Sequence, residues 1–395
     1  PISVDMDRYP ETIRQFGTPV TLFYAGSFGL KDGLPGLLDA FDALADKGYK
    51  VHFITYKQPF RLDSFHENIF FHEVNFSNYP LFEYPPYETA LASKIVDVAL
   101  FEKLDLLHVH YAIPHASAAY IAKQILKEKN YHLPFITTLH GTDITLVGKD
   151  ETFIPVVTFS INQSDGITSV SQSLKVETYQ NFEITKDIKV IPNFIDFSRF
   201  IKLDKEHFRK VIAKNCEKII VHTSNFRKVK RVEDVVKVFC KIKESIPAKL
   251  LLVGDGPERQ NVEKLTRQVC MEDDVYFLGK QEAVEELLAI ADLFVLPSET
   301  ESFGLAALEA MACEVPVIST NTGGIPEINV VGITGYLSNV GDTDDMAANA
   351  IKILSDEDTL NQFRKNAFNQ AKQFSLDNIL PMYEAYYKEV IERKA

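Results

Sequence analysis

Two carboxylates, Glu301 and Glu309, stand seven residues apart around Ser302-Phe303-Gly304-Leu305-Ala306-Ala307-Leu308. The apolar stretch Leu293-Phe294-Val295-Leu296 and a polar turn precede them. The pattern predicts a strand, a turn and a small-residue helix beginning near Gly304. A glycine there lets a ligand approach the backbone closely. Unpaired amides and the helix dipole at that point favour an anion such as a phosphate. Glu309, further into the helix, is placed to accept hydrogen bonds from sugar hydroxyls. Amides for a diphosphate and carboxylates for hydroxyls suit a sugar nucleotide. The same spacing also describes an ordinary strand–turn–helix with a solvated Glu301.

Other constellations fit that chemistry. Thr138-Leu139-His140-Gly141-Thr142-Asp143 follows a strand, so His140 is expected to project into a cleft, with Gly141 supplying a tight turn. A neutral imidazole there can bond a sugar hydroxyl; a structural histidine at a strand end is the plainer alternative. Asn225-Phe226-Arg227-Lys228-Val229-Lys230-Arg231 concentrates cations after another strand. Arg227 and Lys230 are well placed to meet a diphosphate and stabilise it as it departs, unless the loop is simply solvated. Gly254-Asp255-Gly256-Pro257-Glu258 is a turn that also leaves room for a nucleoside, and Thr322-Gly323-Gly324-Ile325-Pro326-Glu327 is a similar turn before a helix. Neither a P-loop nor a complete dinucleotide fingerprint occurs. His108, His110 and His115 invite a metal reading, but no set has zinc-type spacing. The pairs Asp5/Asp7 and Asp342/Asp344 read as turns, and no metal is expected.

The elements that must position these residues alternate. Strands are expected at 51–54, 106–110, 135–139, 166–170 and 189–191, then at 219–223, 250–253, 275–278, 293–296 and 315–319. Helical patterns separate them, which is the rhythm of a parallel, doubly wound α/β sheet. Two such series predict two Rossmann-like domains facing a cleft, with ligands at the carboxyl ends of the strands. The expected boundaries are 1–191 for the first domain and 192–375 for the second. Residues 192–196 serve as linker, and a helix over 376–395 returns to the first domain.

Composition narrows the function classes. The chain has 395 residues, 46% of them apolar, as in globular proteins. A net charge of −13 argues against a general nucleic-acid binder. No apolar run approaches the ~20 residues of a membrane helix. No signal-peptide pattern is visible, though Pro1 rather than Met opens the numbering. Cys216, Cys240, Cys270 and Cys313 are scattered, as expected of free thiols in a reducing cytoplasm. The sequence gives no oligomeric state; a homo-oligomer is compatible with it.

Taken together, the motifs resemble retaining glycosyltransferases of the GT-B fold, family four, whose E-x7-E element matches Glu301 to Glu309. Further stretches resemble the branch of that family that glycosylates L-malate in the bacillithiol pathway. They are His52-Phe53-Ile54-Thr55-Tyr56-Lys57-Gln58-Pro59-Phe60-Arg61-Leu62, Phe71-His72-Glu73-Val74, Tyr84-Pro85-Pro86-Tyr87, residues 107–116, residues 137–148, Val170-Ser171-Gln172-Ser173-Leu174 and residues 190–196. The resemblance covers about residues 50–395. It implies transfer of N-acetylglucosamine from UDP-GlcNAc to the hydroxyl of L-malate, with retention and without a metal or other cofactor. It also implies roles. Glu309 binds ribose, and the Ser302, Phe303, Gly304 and Leu305 backbone holds the diphosphate, with Gly254 on the donor side. Arg227 and Lys230 stabilise departing UDP, while Glu301 and His140 contact the sugar. Tyr87 and Thr138 face the acceptor, as does Ser27.

The front of the chain departs from that family. A glycine-rich acceptor loop is expected there, but Ala25-Gly26-Ser27-Phe28-Gly29-Leu30-Lys31-Asp32-Gly33 stands in its place. Pro1-Ile2-Ser3-Val4-Asp5-Met6-Asp7-Arg8-Tyr9 echoes Pro192-Asn193-Phe194-Ile195-Asp196-Phe197-Ser198-Arg199-Phe200, and Asp32 stands where the donor-side copy has Lys230. Residues 1–49 thus read as a segment of another family member grafted on near Gly48, a chimera, although a shared βα pattern gives the same echo. Leu22, Phe23, Leu37, Leu38 and Phe41 supply the apolar faces that would let it fill the sheet. Three alternatives follow: a UDP-sugar-binding protein with an impaired acceptor site, a family-four transferase with another acceptor, and a two-domain sugar epimerase.

Overall fold

The structure is a computed structural model and describes residues 21–25, 35–56, 67–75, 86–146, 150–202, 206–214, 217–269 and 271–393. Seven parallel strands form a first sheet: β1 (Thr21–Ala25), β2 (Lys50–Thr55), β3 (Ile69–Glu73), β4 (Leu106–His110), β5 (Phe135–Leu139), β6 (Gly166–Ser169) and β7 (Lys189–Val190). Their order is β3-β2-β1-β4-β5-β6-β7. Six more form the second sheet: β8 (Lys218–Ser224), β9 (Ala248–Gly254), β10 (Val275–Gly279), β11 (Leu293–Leu296), β12 (Val317–Thr320) and β13 (Gly335–Ser338). The order there is β10-β9-β8-β11-β12-β13. Both orders reverse direction once, between β1 and β4 and between β8 and β11. Such a switch point opens a crevice at the carboxyl ends of the strands.

Helices cover both faces of each sheet, so the strands read as continuous apolar runs rather than alternating ones. In the second sheet, Ile220, Leu250, Leu252, Val295 and Ile318 pack with Val235, Val236 and Phe239 of helix Val232–Lys243. The opposite face carries Val221, Leu251, Phe294 and Val317 against Leu308 and Met311 of helix Leu305–Ala312. In the first sheet, Val51, Phe53, Leu106 and Ile136 meet Phe41 and Leu44 of helix Pro35–Asp46. Phe41 is thus buried as its pattern implied, and β1 pairs with β2 and β4.

The last helix, Leu376–Glu392, lies on the first sheet and buries Ile379, Leu380, Tyr383, Tyr387 and Val390 there. The Tyr386 hydroxyl accepts from Ile167 N at 2.9 Å and donates to Ile167 O at 3.2 Å. The two passages between the sheets run side by side: Ile195 bridges Ser375, and Ile195 N donates to Phe374 O at 2.9 Å. The strand expected at 315–319 begins two residues later than predicted. Val315 instead closes the preceding helix, its N–H bonding Ala310 O at 3.0 Å. Strands β3 and β13 were not expected. No helix among the described residues is long and apolar enough to cross a membrane.

Candidate active site

The loops after β8, β11 and β12 converge beside the loop after β5. Lys230 closes a single helical turn, Lys228–Lys230, after β8. Its Nζ donates to Glu301 Oε2 at 2.6 Å, and Ser298 Oγ approaches the same oxygen at 3.3 Å. Both partners are largely shielded, with side-chain exposures of 21% and 17%. The backbone joins the two loops as well, because Glu299 N donates to Val229 O at 2.8 Å. Arg227, just before this turn, is exposed.

Gly304 caps helix Leu305–Ala312 with φ 96° and ψ 41°, a left-handed conformation that glycine adopts without a steric penalty. Ser302, Gly304 and Leu305 therefore stand at the helix entry, Phe303 is buried beneath it, and Glu309 is half-buried one turn on. The next loop closes over Glu301: Gly324 N donates to Glu301 O at 2.9 Å, and a Cβ on Gly323 would lie 1.9 Å from that oxygen. Gly254, at φ +124°, has a structural requirement of its own, since a Cβ there would lie 1.8 Å from Ser224 O. The expectation that this glycine leaves space for a nucleoside therefore meets a backbone already packed against it.

The first sheet supplies the facing wall. A Cβ on Gly141 would fall 1.6 Å from Ser302 Oγ, so the His140–Gly141 turn sits directly against the Glu301–Glu309 loop. Ser171 caps helix Gln172–Asn181 by accepting from Leu174 N, and its Oγ donates to Ser302 O at 2.6 Å. The Glu327 carboxylate reaches the same helix start, accepting from Gln172 N at 2.9 Å and Ser173 N at 2.8 Å. A carboxylate at a helix N-terminus is electrostatically favoured. Ser171 and Glu327 thus tie the two sheets together beside the site. In the sequence, Ser171 stood within the family-like run Val170–Leu174 and Glu327 in a glycine-rich turn, with nothing to pair them.

His140 is half-buried rather than simply projecting. Its Nε2 faces His110 Nδ1 at 2.5 Å, and its ring lies 5.1 Å from that of Tyr111. Burial pulls its pKa down to about 4, so the imidazole is neutral near pH 7. Thr138 is fully buried with its hydroxyl engaged, 2.7 Å from His108 Nε2 and 2.6 Å from Thr168 Oγ1. It lies behind the histidines instead of at the surface of the cleft. Tyr87 is half-buried, its hydroxyl 3.4 Å from His115 Nε2, and burial pushes its pKa to about 12. Ser27 lies outside the described residues, as do Phe28 and Asp32.

The three histidines that suggested a metal are bonded elsewhere. His108 Nδ1 lies 2.8 Å from the Tyr387 hydroxyl of the returning helix, and His115 Nδ1 lies 2.7 Å from His110 O. Asp342 caps helix Thr343–Leu354, accepting from Asp345 N, and Asp344 pairs with Lys241. Asp5 and Asp7 lie outside the described residues. Cys240 and Cys313 are free thiols.

Sequence reasoning missed Asp143. It is buried and accepts from Ala112 N at 2.7 Å and Gly141 N at 3.2 Å, which clamps the His140 turn onto the loop after β4. Burial raises its pKa to about 6, against the opposing effect of those N–H donors. The signal was present in the run His140-Gly141-Thr142-Asp143.

This cleft between doubly wound sheets has known counterparts. The model of Glycosyltransferase Family 4 matches residues 37–199, and that of Glycosyl transferases group 1 matches residues 204–370. N-acetyl-alpha-D-glucosaminyl L-malate synthase of Bacillus anthracis is 50% identical over 350 residues, covering 88% of this chain and 91% of that protein. The chain is a GT-B glycosyltransferase. An uncharacterized glycosyltransferase of Methanocaldococcus jannaschii is 32% identical across 74% of this chain and 77% of its own length. Among solved structures, HepE of Anabaena in complex with UDP and glucose superposes with a TM-score of 0.79 at 20% identity, covering 93% of this chain and 99% of that one. Sucrose-phosphate synthase of Thermosynechococcus elongatus gives 0.77 at 21% identity, with 95% and 100% covered. At such low identity these two structures speak to the fold alone.

Proposed function

We propose that this glycosyltransferase moves N-acetylglucosamine from UDP-GlcNAc to the hydroxyl of L-malate, with retention at the anomeric carbon and without a metal. The 50% identity to the Bacillus anthracis synthase, across 91% of that protein, carries the substrate assignment. The arrangement of side chains supports the chemistry. Glu309 holds the ribose hydroxyls and the amides at the start of helix Leu305–Ala312 hold the diphosphate. Lys230 and Arg227 neutralise the departing UDP. Glu301 and His140 bond hydroxyls of the transferred sugar, with Tyr87 at the acceptor end. Thr138 acts at one remove, by fixing His108.

The sugar's C1–O bond to UDP breaks as the malate oxygen bonds C1 on the same face. The malate proton passes to the phosphate oxygen that leaves. Lys230 and Arg227 supply positive charge where the leaving group becomes negative, the role a metal plays in other transferases.

Glu309→Ala is expected to weaken UDP binding by about 1–3 kcal/mol, the scale of hydrogen bonds lost in a desolvated site. Calorimetric titration with UDP checks this, and unchanged affinity would remove Glu309 from the ribose role. A second reading rests on the departure in sequence at residues 26–33, where Phe28 stands in place of the family's small residues. On that reading the chain binds UDP-sugar but transfers it poorly, and UDP-GlcNAc binding without malate-dependent product would support it.

A further inference from the structure

We propose that His52, His72 and Glu102 form a structural site for a divalent transition-metal ion of the zinc class, distant from the transfer cleft. One ligand atom from each of the three residues lies within 4.8 Å of the other two. They come together by register. Strands β2 and β3 are parallel, with His52 opposite Phe70 and Ile54 opposite His72. His52 and His72, two steps apart in that register, therefore project from the same face of the sheet. Glu102 is the final residue of helix Tyr87–Glu102, which packs Leu91, Ile95, Val98 and Ala99 into the core beside Ile54. That helix starts near the cleft at Tyr87 and ends before β4 begins. Its last turn therefore lies at the opposite end of the sheet from His140.

The ring of His52 is fully buried and stacks on Phe70 at 4.6 Å and on His72 at 5.2 Å. Its Nδ1 lies 2.9 Å from His72 Nε2, so the two rings share one proton. Its Nε2 is buried with no hydrogen-bond partner among the described residues. A metal ion in place of the shared proton would be held by His52 Nδ1, His72 Nε2 and the Glu102 carboxylate, with the two nitrogens opening to roughly 3.3 Å for tetrahedral bonds near 2.0–2.1 Å.

The donor set selects the ion. Two imidazoles and one carboxylate suit zinc, cobalt or nickel with water completing the shell. Calcium and magnesium prefer all-oxygen cages. A bound ion would join the edge strand β3, through β2, to the end of the helix that carries Tyr87 at its start.

The test uses the full chain, dialysed against EDTA and titrated with Zn2+ by calorimetry and with Co2+ by visible absorption. One equivalent is expected to bind, with the d–d bands of tetrahedral Co2+ and no sulfur-to-cobalt charge transfer. Glu102→Gln and His72→Ala are each expected to lower zinc affinity at least 10-fold and to cancel the rise in Tm that zinc gives the parent chain. The Glu102 change lies at a helix end and leaves the core intact, so it keeps the test informative even where His72→Ala unfolds. Absence of saturable binding, equal affinity in parent and Glu102→Gln, or a cobalt spectrum dominated by thiolate would each overturn the site.

Discussion

Lys230→Ala is expected to lower kcat by about 10²–10³-fold while changing the KM for UDP-GlcNAc little, the loss typical when a preorganised donor to a developing negative charge is removed. The reason lies in where the ammonium is held. Lys230 follows β8 and ends a turn in which its own N–H bonds Arg227 O at 2.8 Å. Its Nζ is already committed to Glu301 at 2.6 Å in a partly shielded pair. On the proposed function, bound diphosphate would compete with Glu301 for this cation. In the ground state one partner partly replaces the other, so net affinity changes modestly. As the C1–O bond breaks, negative charge grows on the phosphate and the balance moves toward Lys230, so the stabilisation is greater in the transition state than in the ground state. Lys230→Arg should recover only part of the loss, because a planar guanidinium cannot occupy the ammonium's position beside Glu301. Steady-state kinetics of UDP release decide the matter. A raised KM with an unchanged kcat would make Lys230 a binding residue and no more.

The second large effect is on stability in acid. His108, His110, His115 and His222 are buried, and desolvation lowers all four: His108 to about 3, His115 and His222 to about 4, and His110 well below its ordinary value. A group whose folded pKa is depressed contributes stability that is complete above its unfolded pKa, about 6.5 for histidine, and lost as pH falls toward the folded value. Asp143 works in the opposite sense. Burial raises it to about 6, so it is more stable protonated, and acidification from pH 6 towards 4 regains about one proton's worth. These five groups alone give roughly three protons taken up on unfolding near pH 5.5, a slope of about 4 kcal/mol per pH unit, and His140 and His52, lowered to about 4 and about 3, steepen it further. Against a typical total of about 5–15 kcal/mol, cooperative unfolding should set in between about pH 5 and 4. Denaturant midpoints measured from pH 8 to 4.5 check this. His108→Gln, which keeps a polar contact for Thr138 and Tyr387, should shallow the slope by about one proton. A midpoint flat across that range would mean the histidines are charged in the folded chain.

Most of the strands that carry the site were legible because a parallel sheet covered on both faces needs uninterrupted apolar runs. Leu106–His110, Phe135–Leu139 and Leu293–Leu296 occur where the residues indicated. Strands β3 and β13 were not legible, for different reasons. Ile69-Phe70-Phe71-His72-Glu73 is an edge strand whose pattern mixes apolar and charged residues, and Gly335-Tyr336-Leu337-Ser338 opens on a glycine and closes on a serine, which leaves no apolar run. Gly335 is there because a Cβ would lie 1.7 Å from Val317 O, a constraint visible only once the strands are paired.

For the candidate site, residue types and spacing placed Glu301, Gly304, Lys230 and His140 around a cleft, and the loops do converge. The tertiary partnerships could not be read the same way. Thr138 looked like a strand-end hydroxyl available to a ligand, yet its register beside His108 and Thr168 encloses it. Asp143, Ser171 and Glu327 hold the loops through backbone N–H groups, and such bonds leave little trace in sequence because any loop offers those donors. Gly254 looked like space for a ligand, and the structure shows space required by Ser224.

The measurement closest to the central claim is UDP release from UDP-GlcNAc with and without L-malate, with product mass and anomeric configuration read by mass spectrometry and NMR. The expected result is malate-dependent release with one α-linked N-acetylglucosaminyl malate formed per UDP. Release that ignores malate, or a product of inverted configuration, would contradict the account.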